Sequence, residues 1–175
     1  MKKQSNRNYK STDEVMTPYP LALALVNHFK PVGVVLEPCK GEGVFIKALE
    51  LQDGVDEIKW CEISEGRDFF DFKGRVDWII TNPPWSKMRT FLQHAYTLAD
   101  DVAYLMTINH CWTKARRRDR EEAGFGIKEI CITQVPPNFP QTGFELGIVH
   151  FKRGYVGDIK LSKILVDIEQ RMEMK

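Results

Sequence analysis

The chain has 175 residues, 43% of them apolar, enough for one domain with a substantial core. Its 25 Lys+Arg nearly balance 24 Asp+Glu, for a net charge of +1, which excludes a polycation and leaves any nucleic-acid binding to a local patch. The cysteines, Cys39, Cys61, Cys111 and Cys131, stand far apart with no Cys-x-x-Cys pair, which argues against a zinc site or disulfide framework and fits a reducing, cytoplasmic setting.

The opening MKKQSNRNYKSTDE is basic but has no apolar run behind it to make a signal peptide, and residues 1–14 are expected to be flexible. No stretch approaches the ~20 apolar residues needed to cross a bilayer, so no membrane partner is expected. TPYPLALALVNHF (17–29) predicts a turn and a short helix with Pro20 in its first turn. VGVVLEP (32–38) predicts a strand closed by proline; the turn CKGEG and a helical VFIKALELQ (44–52) follow. EIKWCEI (57–63) predicts a second strand, RDFFDF (67–72) a connection or edge strand, and VDWIITN (76–82) a buried strand. KMRTFLQHAYTLA (87–99) has helical spacing, VAYLMTI (102–108) reads as a strand, and KARRRDREEA (114–123) as a charged helix.

IKEICITQV (127–135) and ELGIVHFK (145–152) predict two strands around a Pro-rich loop, PPNFPQTGF (136–144), that is a candidate substrate lip. That loop is too short and helix-free for a parallel crossover, so the two strands should pair antiparallel. In LSKILVDIEQRMEM (161–174), Leu161, Ile164, Leu165 and Ile168 share one helical face, which predicts an amphipathic helix. The expected fold class is α/β: one domain over 15–175, doubly wound, its sheet mostly parallel with one antiparallel strand near the edge.

In such sheets ligands bind at the carboxyl ends of strands, where strand order reverses. EPCKGEG sits at such an end, and Gly41 and Gly43 would let the backbone turn sharply with no Cβ in a ligand's way. The pattern is neither GxGxxG nor a phosphate loop, and Glu37 beside it repels a pyrophosphate but suits a cationic amine. Glu62, roughly 20 residues downstream, is placed to accept from ribose hydroxyls. Adenosine with a positive amino-acid tail fits both acids better than a dinucleotide does. The same glycines also suit an ordinary strand-to-helix turn, and residues 81–85 an ordinary strand-ending turn with an aromatic anchor.

EPCKGEGVF followed by TNPPW resembles the motif pair of S-adenosylmethionine-dependent amino-group methyltransferases, in particular the DNA N6-adenine methyltransferases. TPYPLALALV resembles the Thr-Pro motif at the N-terminal side of that family, and RDFF its acidic-Phe motif; the likeness covers residues 15–110. It implies a Rossmann-like class I methyltransferase fold and S-adenosylmethionine as cofactor. It also implies that Thr17 and Pro18 lie at the cofactor's carboxylate end, with Glu37, Pro38, Gly41, Gly43 and Glu62 around it. Asp68 would accept from its adenine amino group, Phe69 would pack by its ring, and Asn82 would border it.

Asn82, Pro83, Pro84 and Trp85 are the expected catalytic group. An exocyclic amino group is a poor nucleophile because its lone pair is delocalised into the ring. Two acceptors, the Asn82 side-chain oxygen and the Pro83 carbonyl, would draw the nitrogen toward tetrahedral geometry. Pro-Pro fixes φ at both positions, so the carbonyl is set beforehand. Trp85 offers a face for a flipped base, worth on the order of 1–3 kcal/mol. Two positions depart from the family pattern: Glu37 stands where Asp is usual, and Trp85 where Tyr or Phe is usual.

The third motif runs almost directly into the fourth, so no separate target-recognition domain is expected there; sequence preference would be loose, come from a partner protein, or give way to a structured substrate. Arg116, Arg117 and Arg120 would form a phosphate-tracking face if 114–123 is helical; the alternative is a solvated helix balanced by Glu121 and Glu122. His110 and Trp112 fit packing as well as function. Nucleic acid is the expected partner, DNA ahead of RNA. Adenine in RNA, protein glutamine, or a silent nucleic-acid-binding subunit are the other readings, and cytosine amino methylation ranks lower because it usually has Ser at position 82.

Overall fold

Alternating side chains give each central strand two buried faces, and each face finds its own layer of helices. The computed structural model describes residues 13 and 15–166. The expected flexible start falls almost wholly outside them, and residues 167–175 lie outside as well. The described elements are α1 (Tyr19–Phe29), β1 (Gly33–Glu37), α2 (Val44–Leu49), β2 (Val55–Trp60), β3 (Trp78–Thr81), α3 (Met88–Leu98), β4 (Asp101–Thr107), α4 (Lys114–Glu122), β5 (Phe125–Thr133), β6 (Leu146–Arg153) and β7 (Lys160–Ile164). Residues 67–72 are a connection, closed by a single 3-10 turn at Phe69–Asp71, and form no edge strand.

The strands make one sheet in the order β2-β1-β3-β4-β6-β5-β7. β2, β1, β3 and β4 pair parallel, β7 pairs parallel to β5, and β6 runs antiparallel to both its neighbours, so the reversed strand near the edge is β6. Val35, Ile80, Ala103 and Leu105 face α1 and α2, which contribute Leu21, Leu25, Phe45 and Leu49. Leu36, Ile79, Val102, Tyr104 and Met106 face α3, with Phe91, Leu92 and Ala95. From β1 the chain goes to β2 on one side and returns to β3 on the other. Strand order therefore reverses between β1 and β3, and the carboxyl ends of these two strands flank the crevice.

Two polar clusters pin the sheet. Buried Asp101 accepts from His150 at 2.7 Å and Lys152 at 2.8 Å, and the His150 ring stacks on Trp78. On the far side His28, Glu129 and Cys131 bring possible ligand atoms within 4.8 Å of one another. Glu129 is already engaged there by His28, Ser162 and Lys160, so the cluster acts as a clamp joining α1, β5 and β7.

The amphipathic helix expected at 161–174 does not form over its described part. Residues 160–164 are the strand β7, paired with β5 from Glu129↔Lys160 to Thr133↔Ile164, while Ile168 lies outside the described residues. Leu161 and Leu165 are exposed. The open edge of β5 and the Ser162 and Lys160 bonds to Glu129 outweigh a helical pattern that has no surface to cover. Among the described residues no helix is long and apolar enough to cross a membrane.

Candidate functional site

The floor of the crevice is a buried carboxyl. Glu37 ends β1 fully buried, and one oxygen accepts from the Cys39 N–H at 2.9 Å and from the Thr81 hydroxyl at the end of β3. Its other oxygen is buried without a partner. Burial pushes the Glu37 carboxyl up to about 8, more than the Thr81 and Cys39 donors bring it down. Glu37 therefore lies beneath the cavity wall and ties the glycine turn to β3. Because Asn82 follows Thr81 directly, the same bond sets where Asn82 stands.

Above this floor the turn 38–43 is held on two sides. Gly41 and Gly43 take φ of 51° and 75°, left-handed values that glycine adopts without strain. The Gly41 N–H donates to Glu62 at 2.9 Å, and Glu62 also accepts from the Ser64 N–H and hydroxyl. Partial burial works against the charge on Glu62, but the bonds from Ser64 and Gly41, with Lys40 nearby, hold its pKa below the ordinary carboxylate value. A Cβ on Gly41 would approach the Met16 sulfur to 3.1 Å. Met16 belongs to a strap before α1 that is tied down by Asn82 Nδ2 to the Val15 carbonyl (3.1 Å) and Asn138 Nδ2 to the Met16 carbonyl (2.8 Å).

Strap, turn and connection enclose a cleft of roughly 460 Å³, within the range of small-molecule sites. Pro38, Gly41, Glu62, Asp68, Phe69 and Asn82 all line it. Thr17 lies in an adjoining recess with Gly41 and Asn82. Pro18 and Gly43 border neither space: Pro18 caps α1 with its carbonyl, and Gly43 caps α2. Asp68 accepts from the Phe70 N–H, and Phe69 is buried against Phe91 and His94. Residues not singled out in the sequence complete the wall, chiefly Ile63 and Lys87, which are exposed, and Phe70 and Phe91. Ile63 was legible as the residue after Glu62; Phe91 sits on α3 and carries no local signal. Cys39 also faces this cleft, but burial, reinforced by Glu37, raises its thiol far above the ordinary value and keeps it protonated.

The Asn82–Trp85 loop borders this cleft on one side and a second cavity on the other. Asn82 donates to Val15, which leaves Asn82 Oδ1 buried without a partner. Pro83 is buried; Pro84 lines the cleft. Trp85 is half-buried, anchored by its Nε1–H to the Leu105 carbonyl (3.3 Å) and edge-on to Phe139. With Ser86, Asn109, His110, Thr142 and Phe144 it bounds the second cavity, roughly 290 Å³. Pro140, Thr142 and Phe144 of the Pro-rich loop 136–144 line this cavity, as does His110.

The arginines of α4 do not share one exposed face. Arg116 is half-buried and reaches the His110 carbonyl, and Arg120 is only 12% exposed. Arg117 stays exposed, as do Arg118 and Lys114. The reason is helix phase: positions 116 and 120, four apart, fall on the inner side, while 114, 117 and 118 fall on the outer side.

Three solved structures share this architecture. A candidate RNA methyltransferase from Pyrococcus horikoshii superimposes with a TM-score of 0.63 at 21% identity, over 87% of this chain and 93% of that one. A candidate class I S-adenosylmethionine-dependent methyltransferase from Listeria monocytogenes gives 0.64 at 12% identity, over 95% and 70%. The modification subunit of a candidate type I restriction enzyme from Vibrio vulnificus gives 0.60 at 19% identity, over 93% of this chain and about half (49%) of that one. The sequence matches no protein-family model and no curated protein. The fold is thus that of Rossmann-like class I methyltransferases.

Proposed function

We propose that this protein transfers a methyl group from S-adenosylmethionine to the exocyclic amino group of adenine in nucleic acid, with DNA as the acceptor. The observation that carries this reading is Asn82 Oδ1, a buried acceptor without a partner at the head of a rigid loop bordering two cavities. An acceptor left open inside a protein costs ~1–3 kcal/mol, and an amino hydrogen would satisfy it.

The cleft residues fit the cofactor. Ile63, Phe70 and Phe91 offer apolar surface to a purine, Glu62 an ionised acceptor to ribose hydroxyls, and Asp68 a second oxygen to an amino group. The recess at Thr17 and Gly41 suits the amino-acid tail, and a side chain on Gly41 would crowd it against Met16. Bound there, S-adenosylmethionine supplies an electrophilic methyl carried on a sulfonium. Asn82 and the Pro83 carbonyl each accept one amino hydrogen and localise the nitrogen lone pair. The Pro-Pro backbone keeps both acceptors from reorganising as charge develops. Trp85 and Phe144 flank the target base in the second cavity. With that methyl donor bound, the N–C bond would form as the methyl's bond to sulfur breaks, its electron pair remaining on sulfur and the surplus amino proton leaving to solvent. Glu37 acts as a positioning residue, through Thr81 and the turn.

Labelled donor incubated with duplex DNA, single strands, ribosomal RNA and protein, followed by digestion, tests the reading. N6-methyladenine from DNA is the expected product. N6-methyladenine from RNA alone would move the acceptor and keep the chemistry; label only in protein, or none anywhere, would overturn the assignment.

The outer face of α4 is the proposed phosphate contact, and a specificity partner is the proposed source of sequence recognition. The ion pairs of Arg117 with Glu121 and Arg118 with Glu122 are exposed and long, so phosphates can compete for them. Changing Lys114, Arg117 and Arg118 together to Gln should lower the slope of log K against log salt by roughly 2–3, the loss of about three phosphate contacts. An unchanged slope in a titration from low to physiological salt would return this helix to a merely solvated role.

A further inference from the structure

Besides Asn82, which lines the first cleft, two residues that line the second cavity carry open polar atoms. Asn109 Oδ1 and His110 Nδ1 are both buried without a hydrogen-bond partner, and both residues line the space beside Trp85. They sit in the turn Ile108–Trp112 at the carboxyl end of β4. That turn is fixed: the Ile108 N–H donates to the Glu145 carbonyl at 2.9 Å, and the Cys111 thiol to the Ile108 carbonyl at 2.8 Å. Leaving two buried polar groups open is costly unless water or a ligand completes them, and a ligand that fills this cavity displaces the water.

On the reading just proposed, in which adenine enters this cavity with its amino hydrogens on Asn82 and Pro83, we infer that Asn109 and His110 recognise the base by donating to its ring nitrogens N1 and N7. The chemistry follows from what adenine has left to offer. Once the amino group is used, every remaining polar atom on the ring is an acceptor, so the pocket must supply donors. The Asn109 amide makes no bond that fixes its orientation, so its NH₂ end can turn to the ring. Burial, with Arg116 adding to it, holds the His110 pKa below its ordinary value, so the imidazole is neutral and carries a single N–H. A donor facing N1 also rejects guanine, which carries a hydrogen there. Asn109 and His110 are thus specificity-determining residues.

The test is a chemical double-mutant cycle. Parent protein, Asn109→Ala and His110→Ala are each assayed on oligonucleotides whose target is adenine, 1-deazaadenine or 7-deazaadenine, with S-adenosylmethionine binding measured in parallel. Each substitution should cost roughly 10- to 100-fold in kcat/KM on adenine, with cofactor affinity retained. On the analogue lacking the matching nitrogen that cost should disappear, because the bond is already gone. A purely structural role gives the same cost on all three bases, and that result, or no cost on adenine, would overturn the inference while leaving the adenine reading intact. A parent protein inactive on every adenine substrate would instead remove the proposed function, and this inference with it.

Discussion

Asn82→Ala is expected to lower kcat for methyl transfer at least ~100-fold while S-adenosylmethionine binds within a few-fold of the parent, because a preorganised acceptor acts on the developing charge and contributes little to ground-state binding. The structure separates the two roles of the side chain. Nδ2 holds the Val15 carbonyl and so steadies the strap over the proposed cofactor cleft, whereas Oδ1 is the open acceptor. A second variant, Asn82→Asp, keeps the acceptor and loses the strap bond. It should retain more kcat than the alanine variant; both lose the strap bond, so weaker cofactor binding in the aspartate variant reflects its new charge facing the Val15 carbonyl. Kinetics paired with calorimetric titration of the cofactor distinguish these outcomes. Full kcat in Asn82→Ala would remove the residue from the chemistry.

Glu37→Gln is expected to change how stability depends on pH. The folded carboxyl is pushed up to about 8 from an ordinary value of 4.5, with burial as the main cause. Between these two values the unfolded chain has released its proton and the folded chain still holds it, so the folded state binds more protons and stability falls as pH rises. Stability from this group is complete below about pH 4.5, declines up to about 8, and changes no further above it. The full span is on the order of 5 kcal/mol. Glutamine keeps an acceptor for Thr81 and Cys39 and has no proton to lose, so the variant should be progressively more stable than the parent from pH 5 to 8.5. Other groups titrate in or near this range; His110, for example, has a lowered pKa and contributes with the opposite sign. The difference between variant and parent urea midpoints isolates Glu37. Parallel curves for the two proteins would show that Glu37 is ionised in the fold.

Glu37 and the α4 arginines show why parts of the site were illegible in the sequence. The identity of Glu37 and its place at the end of β1 follow from the string, and a carboxylate beside a glycine turn suits a ligand amine. That it lies under the cavity wall depends on Thr81, 44 positions away, which comes alongside only when β1 and β3 pair. The arginines were legible as a helix but not in phase, because the inner side of α4 is set by its docking beside β4 and β5. The second cavity is harder still: Trp85, His110 and Phe144 come from three separate loops, and no spacing rule links them.

The pattern of apolar residues by itself determined the chain order of β1 to β6 and α1 to α4, the mostly parallel winding and the presence of one reversed strand near the edge. Those features depend on local periodicity and on loops too short for other connections. Tertiary structure alone decided the fate of residues 160–164, whose apolar spacing suits a helix but whose backbone is taken by the open edge of β5. It alone decided which polar atoms at the crevice stay unpaired, because pairing is settled by distances across the sheet, and a linear pattern carries no information about those.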